Sequence, residues 1–111
     1  MEEVGRIFGD VGLGRFHLSL NVPVERGDYL AVVDEQHGNV LCQLDDLRRK
    51  SDLDLERAGA LQPSEEATQH ESMLGEARIV GYRDGQGLVK IPTIPFRSGA
   101  HVFRAEEPLI A

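Results

Sequence analysis

Apolar and polar residues along this chain alternate in short runs, the pattern of strands rather than helices. Phe16, Leu18 and Leu20 alternate with His17, Ser19 and Asn21, which predicts a half-buried strand. Residues 4–9 form a shorter β-type word with Val4, Ile7 and Phe8 apolar. Residues 29–33 are almost continuously apolar and predict a strand covered on both sides. Val40, Cys42 and Leu44 then alternate with Leu41, Gln43 and Asp45. Residues 76–82, 88–91 and 102–103 complete a set of about seven short strands.

Glycine and proline punctuate these runs. Gly12 and Gly14 mark a turn, and Pro23, which cannot donate to a sheet ladder, ends the second strand. His37-Gly38-Asn39 predicts one hairpin turn and Asp84-Gly85-Gln86-Gly87 another. Pro92 and Pro95 place the sixth strand at an edge or a corner.

Two stretches match at a constant offset of 72 residues. Arg6, Ile7, Gly9, Pro23 and Gly27 recur as Arg78, Ile79, Gly81, Pro95 and Gly99. Phe16/Leu88, Val22/Ile94 and Leu30/Val102 agree in being apolar. No gap is needed, which points to an internal duplication. The expected fold is therefore all-β: a small closed barrel of six or seven strands with pseudo-twofold character. The two Pro-x-x-x-Gly words are its equivalent corners.

Between residues 48 and 75 the character changes. Arg48-Arg49-Lys50 is a basic cluster, and acidic residues dominate the stretch after it. We expect a polar, partly helical insertion here, with short helical turns at residues 54–61 and 63–67. Residues 106–111 read as the start of a linker within a single-domain chain of residues 1–111.

The chain carries 12 Lys and Arg against 19 Asp and Glu, a net charge of −7, with no Trp. A domain that grips phosphate backbones usually presents a basic face, so nucleic acid is not its expected partner and protein is. No apolar run approaches the length of a membrane span, and no leader segment is evident, which predicts a cytoplasmic protein. The single Cys42, with apolar Leu41 and Leu44 close by in sequence, reads as a small core residue.

No constellation for chemistry emerges. Gly12-Leu13-Gly14-Arg15 lacks the length and the lysine of a phosphate loop. His17, His37, His70 and His101 are scattered without metal-ligand spacing. The adjacent pairs Asp45-Asp46 and Glu65-Glu66 are expected to point to different sides and so not to share a cleft. We therefore expect no catalytic residue, no metal site and no cofactor. The candidate partner-binding residues are Arg48, Arg49 and Lys50, which suit an acidic partner or a phosphate backbone. Leu53, Leu55 and Leu61 join them as a candidate exposed apolar stripe.

Laid out in order, these words resemble the N-terminal barrel of HerA-type ATPases. The likeness rests on residues 4–9, on 23–30, on the polar insertion, on 77–81 and on 94–102. It implies a non-catalytic barrel placed before a ring-forming, DNA-translocating motor, assembling as a homo-oligomer and meeting a NurA-type nuclease in DNA-end resection. The motor's ATP-binding residues have no counterpart in this sequence, so no catalytic role carries over. Two other readings stand beside it: a small barrel binding a flavin or nucleotide, and a ribosome- or RNA-associated barrel.

Overall fold

The computed structural model describes residues 1–51 and 71–106. Seven strands run β1 (Glu3–Phe8), β2 (Arg15–Leu20), β3 (Tyr29–Asp34), β4 (Gly38–Ser51), β5 (Glu71–Arg83), β6 (Val89–Lys90) and β7 (His101–Arg104). No helix occurs among the described residues. Six strands close an antiparallel ring in the order β2-β1-β7-β3-β4-β5, with β2 pairing back onto β5 from Arg15↔Arg78 to Leu20↔Met73. Closure removes the free edges within the ring, while the far ends of β4 and β5 run on beyond β3 and β2. β6 stands outside the ring and, among the described residues, pairs with β5 alone, through Tyr82↔Lys90 and Arg83↔Val89.

The alternating residues fill the barrel as their period requires. Ile7, Phe16, Leu18, Leu30, Val32, Val40, Cys42, Leu44 and Val102 are buried, together with Val4, Ala77 and Phe96. Phe16 and Phe96 meet edge to face, centroids 5.7 Å apart at 79°, an arrangement aromatic pairs favour. Cys42 lies fully inside, and burial pushes its thiol up to about 12. A thiol in that state is packing, not a nucleophile.

Part of the sequence repeat is visible in the backbone. β3 and β7 pair through Leu30↔Arg104, Ala31↔Phe103 and Val32↔Val102. Adding or subtracting the 72-residue offset maps this ladder onto itself, so a local twofold passes between Ala31 and Phe103. Both corners close alike. The Gly27 amide donates to the Leu44 carbonyl and the Leu44 amide to the Asp28 carbonyl (2.8 and 2.9 Å). The Gly99 amide donates to the Ile7 carbonyl and the Ile7 amide to the Ala100 carbonyl (2.7 and 2.9 Å). Around this axis β1 therefore corresponds to β4, and β2 to β5. The repeated Arg-Ile-x-Gly words, in contrast, fall on β1 and β5. The sequence repeat and the symmetry of the ring agree for the corners and diverge for those words, and the surplus copy is β6.

Three expectations shift. The turn after β3 occupies Glu35, Gln36 and His37, with Gly38 supplying the positive φ of 70° at the head of β4. Strand pairing reaches into both ends of the polar segment 48–75. β4 and β5 continue to pair through Arg49↔Met73, Lys50↔Ser72 and Ser51↔Glu71, beyond the last residue of β2. Asp45 and Asp46 do not face opposite sides: Asp45 is the extra residue of a bulge between Leu44↔Ala77 and Asp46↔Glu76. The bulge resets the alternation, so both carboxylates reach the outer surface. The helical turns expected at 54–61 and 63–67 lie outside the described residues, as does most of the expected linker.

Candidate partner-binding face

The outer surface across the closure seam is built from the strand registers. Two neighbouring rows run from β1 to β4. One is Phe8, His17, Glu76, Asp46; the other is Arg6, Ser19, Leu74, Arg48. Cross-strand neighbours in such rows stand about 4.5–5.5 Å apart at Cβ, so they form a continuous side-chain lattice. The Phe8 and His17 rings are 6.1 Å apart and tilted by 45°. The sequence pattern reads Phe8 as an apolar strand residue, and the structure turns it outward.

Beside these rows a cavity of about 480 Å3 is lined by Phe8, His17, Arg48, Arg49, Lys50 and Leu74. A smaller one of about 140 Å3 adjoins it, sharing His17, Arg48 and Leu74 and adding Asp46, Gly75 and Glu76. The three basic residues singled out from the sequence are thus gathered onto one site, on a strand rather than on a loop. Leu53, Leu55 and Leu61 lie outside the described residues.

The charges on this face divide into two groups. Arg15 pairs with Asp45 at 2.6 Å and Glu76 at 3.5 Å, and Arg78 reaches Asp45 at 3.5 Å. Asp45, displaced outward by the bulge, thereby ties β2, β4 and β5 together at the seam. Arg48 and Lys50, by contrast, have no paired carboxylate among the described residues. Two uncompensated cations beside an aromatic ring and an aliphatic side chain can hold an anionic group and pack an apolar one next to it.

Of the remaining histidines, His37 stacks on Tyr82 with centroids 4.3 Å apart, and His101 bonds to Glu3. His70 lies outside the described residues. Among the described residues no three His, Cys, Asp or Glu side chains converge as metal ligands, and no helix is long and apolar enough to cross a membrane.

Sequence reasoning did not foresee Phe8, His17 and Leu74 as one site. His17 carried half a signal, by falling on the polar face of its strand. Leu74 carried none, because only the β2–β5 and β4–β5 registers bring it there.

A second surface feature surrounds β6. Leu88, Val89, Ile91 and Ile94 are 59%, 66%, 61% and 56% exposed. Gly81, at φ 145°, lets this segment lie close: a methyl there would stand 2.8 Å from the Lys90 carbonyl oxygen. The hairpin is fastened by Asp84, whose Oδ1 accepts the Gln86 and Leu88 amides (both 2.9 Å) while Lys90 Nζ lies 3.1 Å from its other oxygen. No model of a known protein family matches this sequence, and no curated protein does.

Proposed function

We propose that this barrel is a non-catalytic assembly and docking domain. In the form favoured by the order of its sequence words, it is the N-terminal barrel of a HerA-like, ring-forming DNA translocase in the cytoplasm, working with a NurA-type nuclease. The observation that carries the assembly reading is β6. It hangs on the ring by one edge, has no strand on the other among the described residues, and exposes four large apolar side chains in one short segment. Unpaired strand edges and clustered apolar side chains are the features that partner surfaces share. Lys90, the charge that would discourage pairing at this edge, is turned onto Asp84.

The occupant we assign to β6 is a second copy of this chain, head to tail, since a ring requires heterologous contacts. Burying one such aliphatic side chain fully is worth about 1.5–3 kcal/mol, enough for several together to offset a substantial share of the cost of association. Sedimentation velocity over a concentration series tests it. The wild-type chain should self-associate, and the double variant Val89→Lys with Ile91→Lys should stay monomeric with its fold unchanged. Equal behaviour of the two proteins removes the assembly reading, and ATP turnover by the purified chain removes the non-catalytic one.

A further inference from the structure

We infer that the cavity at the Phe8–Arg48 seam is a binding site for an acidic peptide segment of a partner protein, one that carries an apolar side chain beside its carboxylates. The inference names the partner chemistry for the docking reading of this domain, on which it rests, and it does not depend on self-association through β6.

Three observations lead to it. First, the charge is out of character with the molecule. In a chain of net charge −7, Arg48, Arg49 and Lys50 line one cavity of about 480 Å3, and no Asp or Glu among the described residues lines it. Second, neither Arg48 nor Lys50 is paired with a carboxylate among the described residues, whereas Arg15 and Arg78, on the same face, are both engaged by Asp45. Cations left over where neighbours are neutralised are available to an incoming anion. Third, the rest of the described lining is apolar and aromatic: Phe8 stands beside His17 in one row, and Leu74 stands beside Arg48 in the next. That lining suits an aliphatic or aromatic side chain on the ligand.

A nucleic acid is the poorer fit. A phosphate backbone needs a basic track extending past a single site, and here the neighbouring row presents Asp46 and Glu76, which would repel it. A peptide can place carboxylates on Arg48 and Lys50 and turn an apolar side chain toward Phe8 and Leu74 without crossing those carboxylates. Arginine forks bind carboxylates through two parallel hydrogen bonds, which gives direction as well as attraction.

Fluorescence anisotropy on the whole chain tests this. The probe is a short labelled peptide with a run of glutamates beside a leucine. Comparators are the same peptide with glutamines in place of glutamates and a single-stranded oligothymidylate. The glutamate peptide should bind, more weakly as salt rises. Arg48→Glu with Lys50→Glu should weaken it by about tenfold or more, the loss of about 1.4 kcal/mol. Arg48→Gln with Lys50→Gln should do so in the same direction, guarding against misfolding of the charge-reversed protein, and Leu74→Ala should weaken the glutamate peptide as well. The titration is repeated on the Val89→Lys, Ile91→Lys variant, where binding should persist even if β6 proves not to self-associate. Equal binding of the glutamine peptide, unchanged binding by both charge variants, or tighter binding of the oligothymidylate overturns the inference.

Discussion

Gly27 and Gly99, 72 residues apart, hold the same backbone turn, with φ angles of 94° and 89°. Each follows a proline by four residues, donates its amide across to a neighbouring strand, and delivers the chain into one of the two strands that flank the twofold. The residue after each proline, Val24 or Phe96, tucks into the core. The barrel is in this sense one corner used twice.

If the two corners are equivalent, they should respond equally. Gly27→Ala and Gly99→Ala each force a side chain into the left-handed region, at a cost of about 1–3 kcal/mol. Thermal unfolding should show both variants destabilised by similar amounts. A large difference between them would mean that the corners resemble one another in shape but not in load.

Gly5 is a different case, because its φ is not the issue. A Cβ there would overlap the Ser19 carbonyl where β1 and β2 pair. Gly5→Ala should therefore lower the melting temperature more than either corner substitution. A change smaller than theirs would show that β1 and β2 can move apart without cost.

Phe96 packs edge to face on Phe16 in the core. Phe96→Ala should cost about 3–5 kcal/mol, the range for removing a buried ring. Denaturant midpoints read this directly. Val24, its counterpart, is only partly buried, and Val24→Ala should cost less.

The β6 hairpin should be acid-sensitive ahead of the barrel. The bond from Lys90 and the amides of Leu88 and Gln86 hold the Asp84 carboxyl below its ordinary value of 3.8. A carboxylate with a depressed folded pKa contributes stability above the unfolded value and loses it as pH falls through the folded one. Amide signals of Gln86 and Leu88 should thus shift as the pH drops below 3.8, before those of β2. Asp84→Asn should loosen the same amides at neutral pH. Simultaneous loss of β2 and β6 signals would contradict this assignment.

Much of the fold was legible because its signals are local. The alternation of Phe16, Leu18 and Leu20 and the glycines and prolines of the corners act within a few residues, and the strands appeared where they predicted. The strict alternation around Asp45 misled, since a bulge leaves no mark in the residues themselves. The extent of β4 and β5 was hidden for a related reason. Arg48, Arg49 and Lys50 look like loop residues, and they hold strand geometry through pairing with Leu74, Met73 and Ser72. The candidate site was half legible. Its cations adjoin in sequence, while Phe8, His17 and Leu74 join them only through the registers of β1, β2, β4 and β5. Pro92 and Pro95 put the sixth strand at an edge or a corner, and β6 is an edge strand outside the ring.

The most direct test of the account is hydrogen exchange of the intact chain measured at low and high protein concentration. Amides in residues 88–94 should gain protection as concentration rises, while those of β2, already paired on both sides within the ring, should not change. Exchange at residues 88–94 that is fast and independent of concentration would contradict the account, and β6 would then be an uncovered strand with no copy of this chain upon it.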